Sequence, residues 1–126
     1  MPQPIAIAQG TCFAFPDVLS TPTPGGPVPM PYPNVAQLAD AQDTASTVNA
    51  GGTPVILKGS SILRSSGGEA GTAGPPPNGK CSFTSASKTV FANGQEVVRQ
   101  FDATSQNGGN AVGTVMSGLA TVLVGG

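Results

Sequence analysis

The chain contains no histidine and no tryptophan, and only 9% of its residues carry charge. Each shortage removes a class of function. Without histidine there is no ordinary general base, no Ser-His-Asp or Cys-His nucleophile arrangement, and no imidazole metal ligand. The five Lys plus Arg, at Lys58, Arg64, Lys80, Lys88 and Arg99, form no basic stripe able to neutralise several phosphates, so no nucleic acid partner is expected. No apolar run approaches the roughly 18 residues of a membrane helix, which argues against stable membrane insertion. The amino terminus lacks the basic, apolar and small-residue succession of a signal peptide.

Cysteine is also scarce. Cys12 and Cys81 are the only two, far apart and in no CxxC pair, and reduced thiols are the expectation. They are weak candidates for a metal site, because zinc needs about four donors and two thiolates would need completing by carboxylates. Asp40 and Asp43 form the only close carboxylate pair and fall where a helical face would be solvated. No catalytic residue, cofactor or enzyme activity is expected.

What is abundant is turn chemistry. Eighteen Gly and thirteen Pro accompany apolar residues in short runs such as Val55-Ile56-Leu57 and Val122-Leu123-Val124. A disordered chain would combine low hydrophobicity with high net charge, whereas the formal net charge is −1. At 126 residues the chain suits a single domain, residues 1–126, mainly β, with at most one short helix.

Along the chain, Pro4 to Gln9 reads as an extended segment with Ile5 and Ile7 on one face. Residues 15–33 hold seven prolines, at 16, 22, 24, 27, 29, 31 and 33, and are expected to form a stiff, packed loop. Asn34 to Asp43 is the one stretch with helical spacing, through Val35, Leu38 and Ala39 behind an Asn34 N-cap. Thr44 to Lys58 reads as strand, Gly/Asn turn, strand. Residues 67–79 hold four glycines before a Pro-Pro-Pro-Asn-Gly run and read as a surface loop.

The clearest local signal is Lys88 to Ala92, the turn Asn93-Gly94, and Gln95 to Phe101, because Asn-Gly readily takes the positive φ values of a type I′ hairpin turn. Asp102 then stands where it could accept hydrogen bonds from the turn that follows it. Ala111 to Val124, interrupted by Gly113 and Gly118, reads as one bent strand or two short ones. No fixed-period repeat emerges, although Gly/Asn turns near Gly51, Asn93 and Gly108 suggest hairpins in approximate symmetry.

Three segments together resemble the PAAR-like family of spike-tip proteins of type VI secretion. They are Gly10-Thr-Cys-Phe-Ala-Phe-Pro-Asp-Val through Pro-Met-Pro-Tyr-Pro-Asn34, Ser66-Gly-Gly-Glu-Ala-Gly-Thr72, and Val90-Phe-Ala-Asn-Gly through Asp102. In related PAAR domains the second hairpin strand carries Pro-Ala-Ala-Arg; here it is Glu96-Val97-Val98-Arg99, which keeps only the arginine. The resemblance implies a small PAAR-like β cone. Its base would dock on a trimeric valine-glycine-repeat spike protein, one cap per trimer, with a further expected role as adaptor for effector cargo. It also implies a structural zinc held at the apex by histidines and a cysteine, a ligand set this chain lacks, with Gln106-Asn107 following Asp102. Residence in the bacterial cytoplasm during assembly, then export with the spike, follows from the same likeness. Rival readings are a small secreted toxin or cysteine-dependent enzyme using Cys12 or Cys81, and a surface- or glycan-binding β module.

Overall fold

A computed structural model describes residues 3–68, 71 and 79–125. Its architecture follows from how the short apolar runs are placed. Three of them, each led by a two- or three-residue strand, converge on one layer: β1 (Gln3–Ile5), β6 (Thr53–Pro54) and β10 (Gln95–Glu96). Each is paired antiparallel with one outer strand, giving three separate two-stranded ribbons. β1 pairs with β13 (Leu119–Val124), β6 with β5 (Asn49–Ala50), and β10 with β9 (Phe91–Ala92). Gly51-Gly52 and Asn93-Gly94 close the last two ribbons with φ of 59° and 80°, and 48° and 79°. Both are two-residue turns with positive φ throughout, the type I′ geometry expected of Asn-Gly.

Beyond the ribbons each run continues into a strand of one large sheet. The seven-stranded sheet is ordered β3-β2-β12-β11-β8-β7-β4, with β2 (Thr11–Thr21), β3 (Val28–Gln37), β4 (Ala41–Gln42), β7 (Ser61–Ile62), β8 (Cys81–Phe83), β11 (Ala103–Gln106) and β12 (Ala111–Val115). Its two edges, β3 and β4, are successive parts of one segment joined by a single 3-10 turn at Leu38–Asp40. The sheet therefore closes on itself through this continuous segment rather than through a β3–β4 pairing, and β3 and β4 remain its edge strands. Alternation supplies the filling: Cys12, Ala36, Leu38, Ile62, Cys81, Phe83 and Val115 are all buried inside it with Ala6, Ile56 and Val98. A second cluster, Ile5, Ile7, Val55, Leu57, Val97, Ala50, Ala92 and Val124, fills the space among the ribbons.

The mainly β expectation holds, and the Asn93-Gly94 hairpin stands where the sequence puts it. Ala111 to Val124 is two strands, broken at Gly118, whose hypothetical Cβ would lie 2.8 Å from Pro4 Cβ. Other expectations are corrected. The helix expected from Asn34 is absent apart from one 3-10 turn, because Asn34, Ala36 and Leu38 are buried at a period of two and carry β3 into the closed sheet.

The stiff loop expected over residues 15–33 is instead the long β2–β3 hairpin. Proline is tolerated there because Pro29, Pro31 and Pro33 recur every second residue on an edge strand, so their missing N–H groups all fall on the side away from β2. The Phe15–Pro16 bond is cis, at a register shift between Ala14 and Asp17.

Of the surface loop expected over 67–79, Gly68 and Gly71 are buried against this hairpin. A Cβ on either would come within 2.5 Å of the Leu19 side chain, which is itself fully buried. The glycines of that segment thus give close approach rather than only freedom to turn. Residues 69, 70 and 72–78 of that loop lie outside the described residues.

Candidate functional site

The three inner runs meet in a ring of backbone hydrogen bonds. Ala6 N donates to Val98 O (2.9 Å), Val98 N to Ile56 O (3.0 Å), and Ile56 N to Ala6 O (3.0 Å), so donor and acceptor circulate through three strands and return to the start. A second set repeats the relation one step out: Gln100 N to Pro4 O, Ala8 N to Pro54 O, and Lys58 N to Glu96 O. The isolated bridges Ile5–Arg99, Val55–Ile7 and Val97–Leu57 are a third. Residues 4–8, 54–58 and 96–100 are therefore equivalent under a threefold rotation, although their side chains, Pro-Ile-Ala-Ile-Ala, Pro-Val-Ile-Leu-Lys and Glu-Val-Val-Arg-Gln, share little beyond apolar alternation.

The equivalence extends outward in both directions. In the closed sheet Cys12 pairs with Ala36, Ile62 with Cys81, and Thr104 with Gly113, and two residues beyond these partners stand Leu38, Phe83 and Val115, all buried. In the ribbons Pro4 faces Leu123, Pro54 faces Asn49, and Glu96 faces Phe91, three exposed positions in equivalent places. Their neighbours Val124, Ala50 and Ala92 all point inward. Among the described residues the outer strands β13, β5 and β9 each pair with one strand only, which leaves three backbone edges around this end.

Each inner run ends in a tight turn closed by a side chain in two of the three cases. Ser60 Oγ accepts from Leu57 N at 2.9 Å, and Asp102 Oδ2 accepts from Arg99 N at 2.7 Å. Asp102 also takes a bidentate contact from the Arg99 guanidinium, Nε to Oδ2 at 3.0 Å and Nη2 to Oδ1 at 2.8 Å, while Ser85 Oγ donates to Oδ1 at 3.1 Å. The hydrogen bond to Asp102 holds the Arg99 guanidinium above its ordinary pKa. Asp102 thus serves the turn before it rather than the one after. At the third place stands Gly10, where a Cβ would collide with Ser117, whose Oγ accepts from Thr11 N at 3.1 Å.

At the far end of the closed sheet lies a buried polar cluster. Asp17, with no exposure at all, accepts from three side-chain amides: Asn107 Nδ2 at 3.0 and 3.3 Å, Asn110 Nδ2 at 2.5 Å, and Asn34 Nδ2 at 3.4 Å. Sequence reasoning missed this cluster, having read Asn34 as a helix cap. The clue was the number of Asn and Asp in a chain with few charges.

Cys12 and Cys81 are brought together from β2 and β8, both fully buried in the closed sheet. Their side chains are in hydrogen-bond contact, and that contact, with burial, pushes the Cys12 thiol well above the ordinary thiol range. Such a thiol is a poor nucleophile and a poor zinc ligand. Among the described residues no group of three or more His, Cys, Asp or Glu could complete a metal site around them. Native protein should accordingly react with a maleimide at both cysteines roughly 100-fold more slowly than urea-unfolded protein, since modification must await opening of the sheet. Rapid native labelling, read by intact mass, would contradict this burial.

The chain is similar to the DNase toxin Tse7 of Pseudomonas aeruginosa, at 34% identity over 105 residues, covering 75% of this chain. It spans only 27% of that relative's length. No solved structure matches. Residues 10–113 match the Toxin PAAR-like domain family, and the chain belongs to that family.

Proposed function

We propose that this chain caps the trimeric spike of a bacterial contractile injection apparatus, seating its ribbon end on the three chain ends of a valine-glycine-repeat spike protein. The observation that carries this reading is the cyclic set Ala6–Val98–Ile56, which gives one asymmetric chain a threefold backbone. A trimer presents three identical ends, and a single partner can satisfy all three only if it repeats its own docking elements three times. The free edges of β13, β5 and β9 suit strand addition, with the exposed Leu123 and Phe91 as apolar anchors beside them. The family supports a spike-tip role, and the likeness to a DNase toxin, of which this chain covers about a quarter, supports a tip that travels with toxic cargo. The chain itself works structurally. A cysteine-dependent enzyme would need a reachable thiol, and Cys12 and Cys81 have no exposure.

Co-purification with a trimeric spike, followed by light scattering, should give one chain per three spike chains. Changing Leu123 and Phe91 together to glutamate should weaken that binding at least about tenfold while leaving the melting temperature within a few degrees, because both side chains are more than half exposed. A one-to-one complex, or no complex, would remove the proposal.

A further inference from the structure

The family resemblance implies a zinc ion at the apex of a PAAR domain, and the Asp17 cluster lies at the end opposite the ribbons, which is the apex on the docking proposed above. The donor set does not fit a metal. A zinc site needs lone pairs converging on one point. Here Asn34, Asn107 and Asn110 instead turn amide N–H groups toward the Asp17 carboxylate.

The three buried amide oxygens of the cluster are already engaged, and Asn110, the fourth amide, is an exposed residue. Asn34 Oδ1 accepts from Gln106 Nε2 at 2.9 Å, Asn107 Oδ1 from Gly79 N at 2.6 Å, and Gln106 Oε1 from Thr104 Oγ1 at 2.8 Å. Ser65 Oγ accepts from Asn34 Nδ2 at 2.8 Å and donates to Gly79 O at 2.9 Å. Among the described residues no buried side-chain nitrogen or oxygen is left without a partner.

The cluster also spans the pseudo-symmetry. Asp17 and Asn34 come from the first third, Ser65 and Gly79 from the second, and Thr104, Gln106, Asn107 and Asn110 from the last. A buried carboxylate is costly unless its lone pairs are filled, and three amide donors from two thirds of the fold fill them. We propose that Asp17, gripped by Asn34, Asn107 and Asn110, is a metal-free bolt that ties the three strand pairs together at the apex and takes the place of a zinc ion. Assembly of the tip then needs no metal supply and survives passage through a chelating compartment.

The test uses polarity. Asp17→Asn sets an amide N–H against amide donors and should lower the melting temperature by roughly 8 to 12 °C for a chain of this size. Asn107→Asp sets two carboxylates face to face and should do the same. The double change restores one carboxylate and one amide in exchanged places, and should recover at least half of the loss.

Wild-type protein from zinc-supplemented medium should carry less than about 0.1 zinc per chain by elemental analysis, and EDTA should move its melting temperature by less than about 1 °C. About one zinc per chain together with a chelator-sensitive melt overturns the proposal. So does an Asp17→Asn protein that melts with the wild type, or a double variant no better than the worse single one.

Discussion

Proline in place of Val98 is expected to lower the unfolding free energy by about 5 kcal/mol, seen as a shift of the urea midpoint at constant slope. Val98 is fully buried, and its N–H is the donor to Ile56 O in the central ring. Proline deletes that donor and leaves the Ile56 carbonyl unpaired in an apolar interior, a loss of about 1 to 3 kcal/mol. Its ring also occupies the space of the lost N–H between two paired runs, a place where proline is tolerated only at edges or bulges. Val98→Ala keeps the donor and removes only two methyl groups, so it should cost about 2 kcal/mol and retain spike binding. Equal stability of the two variants would mean that the circulating hydrogen bonds contribute nothing beyond packing.

Asp102→Ala is the second large effect, at about 3 kcal/mol. The change strips Arg99 of both guanidinium contacts and of the acceptor for its own backbone N–H, in a pair whose side chains are 14% and 5% exposed. Ser85 Oγ loses an acceptor as well. A second change, Arg99→Met, should recover part of the loss, because the stranded cation is then removed with its partner. Thermal melts of the two single variants and the double one give the coupling directly. The ion pair at the exposed end, Lys88 with Glu96 at 3.8 Å, has 71% of the lysine side chain in water and should contribute little.

How much of this was legible in the sequence differs from element to element. The Asn93-Gly94 hairpin was legible because its turn depends on two local φ angles that Asn and Gly adopt cheaply. The threefold ring was not, since its members are held by backbone groups that every residue carries. The spacings from Ala6 to Ile56 and from Ile56 to Val98 also differ, so a search for a fixed period passes over them. Of the turns near Gly51, Asn93 and Gly108 that suggested symmetry, the first two close equivalent ribbons, whereas Gly108 stands between β11 and β12 in the large sheet.

Asn34 was misread because Val35, Leu38 and Ala39 fit a helical spacing as well as Asn34, Ala36 and Leu38 fit an extended one. Over so short a run only the tertiary partners Asp17, Ser65 and Gln106 decide. The proline-rich segment was read as extended, which β2 and β3 are, but as a loop rather than a hairpin. Its pairing was hidden because the benefit of alternate prolines appears only when the strand lies at an edge. The two thiols were named as residues worth watching, but their contact depends on the closure of the sheet, which no local pattern encodes.

The ring has a mechanical consequence. A hairpin pulled or pressed at one end fails bond by bond, each rupture passing the load to the next. In a cycle there is no first bond to peel: force directed along the axis reaches Ala6, Ile56 and Val98 together, and one hydrogen bond can yield only by straining the other two. For the spike tip proposed above, that makes resistance to compression a property of connectivity rather than of the strength of any single contact.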